Sequence, residues 1–208
     1  MNDDDLASAF AELGAATLGE SGGRPMRARI AAAWSGASLA ARAFPVRCTP
    51  GDNLAVHVAV AEAPPGCALV VDVGDERELG YWGEVLTTAA QTRGITGLVI
   101  DGGVRDVDAL RRLAFPAFSA LIALPGASKA LPGSIGVRAN VGGVEVLAGD
   151  WVVGDRDGVT VVPGDRLADV LAAARARAAR EHGLFASLRA GQTTIELLGL
   201  DSSPITRP

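Results

Sequence analysis

The spacing of hydrophobic residues predicts that strands and helices alternate over the first half of the chain. Two apolar runs without helical period, residues 68–73 and 98–100, are typical of strands buried on both faces. A third strand is predicted over residues 44–48. Helical spacing of apolar residues predicts helices over residues 6–18, 53–62, 84–93 and from 107 onward. For the strands at 68–73 and 98–100, this alternation favours a largely parallel pair with right-handed crossovers.

After Phe115-Pro116, short β-prone runs are separated by glycine, aspartate and proline. Strands are predicted over residues 117–121, 135–138, 144–147, 151–153 and 159–162. Gly158 predicts a hairpin between the last two strands. A long helix over residues 165–190 follows, and then a short amphipathic segment at 195–200. We expect one α/β domain over residues 1–208, ragged at residues 1–5 and 201–208.

Composition and charge limit the possible functions. Hydrophobic residues make up 49% of the 208 residues, and the mean hydropathy is +0.26, as expected of a chain that folds. A net charge of -5 argues against a nucleic-acid surface. Cys48 and Cys67 form neither a metal-binding spacing nor a disulfide framework. Without a visible signal peptide or an apolar run of membrane-spanning length, we expect a cytoplasmic protein that binds no membrane.

The candidate chemistry gathers in residues 97–110, GLVIDGGVRDVDAL. The predicted strand stops at Asp101-Gly102-Gly103, and Arg105 and Asp106 precede a helix. Ligands of α/β folds usually bind where strands end. One interpretation is an ordinary N-cap at Asp106 beside a surface arginine. The other is a site in which the guanidinium binds an anion and the carboxylate binds Mg²⁺ or Mn²⁺.

A second candidate is the start of the helix at Glu84, which follows Gly80-Tyr81-Trp82-Gly83. Free backbone N–H groups at a helix start can bind an anion, although an ordinary capped helix explains the same residues. This helix and the Arg105 turn follow strands that we expect to be neighbours, so both would line one crevice. His57 and His182 do not form part of a hydrolase triad, and neither a dinucleotide nor a P-loop motif is present.

Several stretches are similar to the RraA-like family, in its branch of 4-hydroxy-4-methyl-2-oxoglutarate/4-carboxy-4-hydroxy-2-oxoadipate aldolases. They include CTPGDNLAVHVAV (48–60), YWGEVLTTAAQTRGITGLVIDGGVRD (81–106), GDWVVGDRDGVTVVP (149–163) and GQTTIELLGL (191–200). The most specific element is an acidic residue, twenty intervening residues and then Arg-Asp. Glu84, Arg105 and Asp106 have this spacing.

The resemblance implies a swivelling β/β/α-type fold with mixed sheets and flanking helices. It also implies homotrimers or homohexamers with sites between subunits, and a divalent metal, Mg²⁺ or Mn²⁺. Asp106 would be the direct protein ligand of the metal, and Glu84 would orient a metal-bound water. Glu181, from the last helix of a neighbouring chain, would reach the water shell of the metal.

The implied substrate is a 2-oxo acid. Arg105 would contact its C2 oxygen, and the backbone N–H groups of Gly83, Glu84, Val85 and Leu86 would bind its C1 carboxylate. The implied activity is that of a metal-dependent class II pyruvate aldolase, with oxaloacetate decarboxylation as a side reaction. The alternative is a regulatory protein that binds and inhibits a ribonuclease. Because the resemblance gives Asp101 no part in binding, we expect Asp101 only to shape the turn.

The chain departs from the family pattern at two positions. Gly19-Glu20 stands where aldolase-branch members often have a His-Glu pair, and residues 134–141 lack the proline usual before the following strand. We expect these positions to affect the part of the pocket beyond the pyruvyl group.

Overall fold

The computed structural model describes residues 2–206 and contains one large mixed sheet with helices packed against it. The strands are β1 (Arg24–Pro25), β2 (Ala31–Ala32), β3 (Leu39–Cys48), β4 (Cys67–Asp72), β5 (Gly80–Trp82), β6 (Gly97–Val104), β7 (Ala117–Ile122), β8 (Gly133–Ile135), β9 (Arg138–Val141), β10 (Val144–Leu147), β11 (Trp151–Asp155) and β12 (Gly158–Val162). The helices are α1 (Asp3–Gly19), α2 (Leu54–Glu62), α3 (Glu84–Thr92), α4 (Val107–Arg112), α5 (Leu167–Arg189) and α6 (Thr194–Leu198).

The main sheet has the strand order β1-β12-β11-β3-β4-β6-β7-β2. Strands β3, β4, β6 and β7 are parallel to their neighbours in this block, and antiparallel strands extend it at both ends. Strands β1 and β2 lie at opposite ends of the order, yet only residues 26–30 separate them along the chain. The sheet therefore curls round until its ends approach each other.

Small and β-branched residues fill the interior of this curled sheet. A Cβ atom on Gly154 of β11 would lie 2.7 Å from the ring of Phe118 on β7, although these strands are not neighbours in the sheet. Packing as dense as this leaves no space for a side chain at Gly154. Two further apolar clusters lie outside the curled sheet. One contains residues of α2 and α3, and the other contains residues of α1 and α5.

The observed architecture confirms the predicted α/β class, with a mixed sheet and flanking helices. The predicted parallel pair is β4 and β6, and β3 is also parallel to β4. The predicted hairpin joins β11 to β12. The strand predicted over 44–48 begins earlier, at Leu39, and Gly80–Trp82 forms β5 inside a segment expected to be a loop. The strand predicted over 135–138 is split, because Gly136 takes a left-handed conformation (φ 71°).

The turn predicted at Asp101-Gly102-Gly103 is wrong, because β6 continues through these residues to Val104. The two glycines mark close packing instead. A Cβ atom on Gly102 would lie 2.9 Å from Val73, and one on Gly103 would lie 2.5 Å from the carbonyl oxygen of Leu79. Glycine within a strand commonly marks such an approach.

Helix α5 confirms the long predicted helix, but its inward face is shorter than expected. Only Val170, Leu171 and Ala174 are buried, whereas Phe185 is 49% exposed. The distal half of α5 extends past the body of the chain, so its apolar residues lack cover from their own chain. Within residues 2–206, no helix combines the length and the apolar character needed to cross a membrane.

Candidate active site

Arg105 follows the carboxyl end of β6, and its side chain packs among glycines. Its backbone N–H donates to the carbonyl oxygen of Trp82 at 2.9 Å, which ties it to β5. Cβ atoms built on Gly80, Gly83 and Gly126 would lie 3.1, 3.1 and 3.4 Å from the Arg105 side chain. Because these three residues have no Cβ atom, the Arg105 side chain can lie between them.

Asp106 stands at the N-cap position of α4, but its side chain does not cap that helix. Its backbone is left-handed (φ 56°, ψ 37°), and its Oδ2 accepts a hydrogen bond from the backbone N–H of Glu84 at 3.0 Å. The interpretation of Asp106 as an ordinary N-cap of α4 is therefore wrong. The carboxylate lies instead at the start of α3, where the helix dipole favours negative charge.

The start of α3 offers fewer free N–H groups than the sequence suggested. The Glu84 N–H is taken by Asp106, whereas the N–H groups of Val85 and Leu86 have no partner within the described chain. An incoming carboxylate would meet these two groups beside the Arg105 guanidinium. Gly83 permits the arrangement, because a Cβ atom there would overlap Oδ2 of Asp106.

The Glu84 side chain points toward α4, where its Oε1 lies 3.3 Å from Nη2 of Arg112. Both side chains are at least half exposed, so the ion pair itself adds little stability. Arg105 and Asp106 border the adjacent cleft, but the Glu84 side chain does not. The structure therefore brings Glu84 to the site chiefly through its backbone.

These elements border a cleft of about 180 Å³. Its walls are Asn53, His57, Gly80, Tyr81, Trp82, Gly83, Val85, Leu86, Arg105, Asp106, Gly126, Ala127 and Lys129. Sequence reasoning missed Asn53 and Lys129 and gave His57 no role. The signal for Asn53 was present, because it follows the carboxyl end of β3 just as Arg105 follows that of β6.

Asp52 holds the Lys129 loop against the start of α2. Its buried carboxylate accepts hydrogen bonds from Ser128 Oγ (2.5 Å) and from the backbone N–H groups of Ala130 (2.6 Å) and Leu131 (3.1 Å). It also accepts from the Leu54 N–H at 2.8 Å, whereas Asn53 occupies the N-cap position of α2 and makes no side-chain capping bond. Burial favours a raised pKa for Asp52, but these hydrogen bonds outweigh it and lower the pKa.

Asp101, to which the sequence assigns the shaping of a turn, makes its hydrogen bonds to residues other than Arg105 and Asp106. It is 3% exposed, and its carboxylate accepts hydrogen bonds from Arg29, Arg77 and the backbone N–H of Gly142. Burial favours a raised pKa, but these hydrogen bonds lower the pKa of Asp101. Asp101 joins β6 to three loops and is a structural residue.

Glu181 does not join Asp106 within one chain. Its Oε1 lies 2.8 Å from Nε of Arg177, and Arg177 also pairs with Glu20. Neither Glu181 nor the segments that depart from the family pattern, Gly19-Glu20 and residues 134–141, border the cleft in their own chain. Any contribution from Glu181 requires a neighbouring chain.

The chain is similar to known proteins both in sequence and in fold. The sequence model of the RraA-like family, described as Aldolase/RraA, matches residues 5–161. The chain belongs to the RraA-like family. The match includes every wall of the cleft and excludes α5 and α6.

Three relatives of this RraA-like chain illustrate the range of the family. A Halalkalibacterium halodurans protein named "Putative 4-hydroxy-4-methyl-2-oxoglutarate aldolase" is 39% identical over 134 residues, which cover 64% of each chain. A solved structure of an uncharacterized Pseudomonas syringae protein has a TM-score of 0.83 and 26% identity, with 92% of each chain covered. Streptomyces coelicolor RraAS2, titled "an unusual member of the RNase ES inhibitor RraA protein family", has a TM-score of 0.74, 26% identity, and coverage of 92% and 98%.

The residues of the RraA-like site are compatible with one kind of metal centre. The described part of the chain has no group of three His, Cys, Asp or Glu side chains that could hold a metal ion. Asp106 alone offers a half-exposed carboxylate at the cleft. A hard cation such as Mg²⁺, which keeps several waters and takes one or two carboxylates, fits this donor set.

Proposed function

We propose that this protein is a divalent-metal-dependent class II pyruvate aldolase. Its substrate would be a 4-hydroxy-2-oxo acid such as 4-hydroxy-4-methyl-2-oxoglutarate, and pyruvate would be one product. The observation that carries this proposal is the juxtaposition of Arg105, Asp106 and the open start of α3 at one cleft. The name of the H. halodurans relative supports the same reaction class.

The pyruvyl half of the substrate would bind at the start of α3. Its C1 carboxylate would accept hydrogen bonds from the N–H groups of Val85 and Leu86, at the positive end of the helix dipole. Arg105 would donate to the C2 oxygen from its place among the glycines. Lys129, at the cleft border, would bind the carboxylate of the distal half through its ammonium group.

Cleavage would break the C3–C4 bond and leave its electron pair on the pyruvyl half as an enolate. The C4 hydroxyl would lose its proton and become a carbonyl. Arg105 would stabilise the negative charge that develops on the C2 oxygen. Glu84 would orient the water that accepts the hydroxyl proton, for which its carboxylate must turn from Arg112 toward the cleft.

Asp106 would hold the divalent metal, Mg²⁺ or Mn²⁺, through the oxygen that faces the cleft. When bound, the metal would supply positive charge to the carboxylate and carbonyl oxygens of the substrate. The hydrogen bond from the Glu84 N–H keeps the Asp106 carboxylate in place for this task. Decarboxylation of oxaloacetate would use the same residues, because it passes through the same enolate.

We further propose that the working protein is a homotrimer or homohexamer whose sites lie between chains. Support comes from the distal half of α5 and from α6, where Phe185, Ile195 and Leu198 are 45–55% exposed. Glu181 lies on the same extension and would approach the cleft of a neighbouring chain. Light scattering coupled to size-exclusion chromatography tests the assembly, and a monomer at micromolar concentration would contradict it.

A coupled assay tests the activity. Pyruvate release from 4-hydroxy-4-methyl-2-oxoglutarate and from oxaloacetate is followed with lactate dehydrogenase, after chelation and after return of Mg²⁺ or Mn²⁺. We expect release from both substrates, lost on chelation and restored by metal. Absence of metal-dependent pyruvate release would reject the aldolase.

The second candidate is a regulatory protein that binds and inhibits a ribonuclease. It is favoured by the likeness to S. coelicolor RraAS2, and the net charge of -5 suits the masking of a basic surface. An inhibitor has no need of Arg105 and Asp106 side by side at a cleft. Inhibition of a ribonuclease that persists in an Arg105→Ala variant, without pyruvate release by wild type, would favour this candidate.

A further inference from the structure

The wall of the cleft formed by α2 contains two buried polar atoms without partners. Asn53 is 4% exposed, and its Nδ2 donates to the carbonyl oxygen of Tyr81 at 2.8 Å. Its Oδ1 is buried and receives no hydrogen bond from any described residue. Nε2 of His57 is likewise buried and has no partner in the described chain. Buried polar groups in folded proteins are nearly always paired, so these two atoms need an explanation.

The two side chains belong to one surface. Asn53 and His57 are four positions apart, and the His57 N–H donates to the carbonyl oxygen of Asn53 at 3.2 Å. Residues four apart at this spacing lie on the same face of a helix. Both residues border the cleft that also contains Arg105. A ligand bound at Arg105 would therefore be in contact with this wall.

The hydrogen-bonding capacity of the pair is specific. Because the Tyr81 carbonyl can only accept, the NH₂ group of Asn53 faces it, and Oδ1 can only accept. Burial, and then the charge of Lys129, lower the pKa of His57, although Asp52 opposes them. A neutral imidazole has one donor and one acceptor nitrogen. In the tautomer with its proton on Nε2, His57 offers a donor beside the Asn53 acceptor, which is what one hydroxyl group requires.

We propose that Asn53 and His57 form a subsite for the C4 hydroxyl group of the substrate. The hydroxyl proton points to Oδ1 of Asn53, and the hydroxyl oxygen accepts from Nε2 of His57. A carboxylate is disfavoured in the same place, because Oδ1 cannot donate to it. The inference rests on the proposed aldolase function and assigns the residues that select a hydroxy acid over oxaloacetate.

The subsite acts in binding. The hydroxyl has a single proton, which must turn away from Asn53 toward its base before the C3–C4 bond breaks. The hydrogen bond to Asn53 is therefore made to the bound substrate and lost on the way to cleavage. Removal of such an interaction raises KM more than it lowers kcat.

The test compares two substrates in the same variants. Pyruvate release from 4-hydroxy-4-methyl-2-oxoglutarate and from oxaloacetate is measured for wild type, Asn53→Ala and His57→Leu. Because oxaloacetate has no C4 hydroxyl, we expect the ratio of the two kcat/KM values to fall on the order of tenfold in each variant. We expect the lower ratio to result mainly from a higher KM for 4-hydroxy-4-methyl-2-oxoglutarate.

The controls are Gln91→Ala and Thr92→Ala, which lie at the carboxyl end of α3 and outside the cleft. Asn53→Ala also removes the bond to Tyr81, so thermal melting accompanies each assay, and His57→Leu tests the subsite without that loss. Equal losses on both substrates, or an unchanged ratio, would overturn the subsite.

A binding measurement separates failure of the subsite from failure of the proposed function. Stabilisation of the protein in a thermal-shift assay is compared for citramalate, which has a hydroxyl group, and methylsuccinate, which lacks it. We expect a larger shift with citramalate in wild type and no such difference in the two variants. If wild type shows the larger shift with citramalate but releases no pyruvate, the proposed aldolase activity is rejected and the subsite is kept. If citramalate and methylsuccinate shift the melting temperature of wild type equally, the subsite is rejected.

Discussion

The carboxylate of Asp106 accepts a hydrogen bond from the backbone N–H of Glu84 at 3.0 Å, across 22 positions of the sequence. This bond joins the turn after β6 to the start of α3. It fixes the position of the Arg105-Asp106 pair relative to the first turn of that helix. The intervening residues form α3 and β6, which return the chain to the start of α3.

Gly83→Ala tests this relationship. A Cβ atom at position 83 would overlap Oδ2 of Asp106, so the carboxylate must move from its place. We expect Mn²⁺ affinity, measured by calorimetry, to fall at least tenfold, as is usual when the support of a metal ligand is lost. Leu147→Ala, at an exposed position of β10 outside the cleft, is the control. Unchanged affinity would argue against Asp106 as the ligand.

Arg105 is expected to be needed for turnover. Arg105→Ala should lower kcat for pyruvate release on the order of 10²-fold, because a positioned donor to the enolate oxygen is lost. Arg105→Lys should recover little, since an ammonium cannot reproduce the planar guanidinium. Arg111→Ala, an exposed arginine on α4, is the matched control. Near-normal turnover of Arg105→Ala would contradict the proposed role.

Asp52 is expected to make stability depend on acid pH. Its pKa is lower in the folded chain than in the unfolded chain, because of its hydrogen bonds to Ser128, Ala130 and Leu54, so the ionised form stabilises the fold above the ordinary aspartate pKa of about 4. As the pH falls below about 4, the Asp52 carboxylate becomes protonated and its contribution to the stability of the fold is lost.

Thermal melting of wild type and Asp52→Asn between pH 3 and 7 measures the effect. We expect the variant to melt several degrees lower at pH 7, and the difference to shrink below pH 4. Asp75→Asn, at an exposed aspartate, should match wild type throughout. If the difference in melting temperature between wild type and Asp52→Asn stayed constant from pH 3 to pH 7, the charge of Asp52 would not contribute to stability.

Asp101 is expected to matter for stability. Asp101→Ala removes the carboxylate that Arg29, Arg77 and Gly142 share, and it leaves their donors unpaired. The free energy of unfolding in urea should fall by about 3 kcal/mol, as when one partner of a buried ion pair is removed. Asp75→Ala is the control. If the Asp101→Ala variant kept its stability but failed to bind Mn²⁺, Asp101 would be a metal ligand and not a structural residue.

The sequence located the site through strand ends and glycines. Arg105 and the start of α3 were placed correctly at one crevice, because parallel strands bring their carboxyl ends to the same edge of a sheet. The same rule holds for Asn53, which follows β3 and also borders the cleft. Lys129 has no local signal, since its loop is held at the cleft by hydrogen bonds to residues distant in sequence, among them Asp52.

Glycines were the main source of error. Gly102 and Gly103 were interpreted as a turn, but they lie in β6 and allow Val73 and Leu79 to pack closely. Local sequence does not distinguish a glycine that bends the chain from one that makes room for a neighbour. That difference depends on residues distant in sequence.

The sequence by itself determined the α/β class and the parallel pair of strands, and it indicated the Arg105-Asp106 pair as a candidate, because hydrophobic period and strand ends are local properties. Only the tertiary structure decided which partner each carboxylate has. Asp101 and Asp106 are five positions apart, yet Asp101 is buried among arginines and Asp106 faces the cleft. Their roles differ because the curled sheet surrounds Asp101 with loops, whereas β6 ends before Asp106 and leaves its carboxylate at the start of α3.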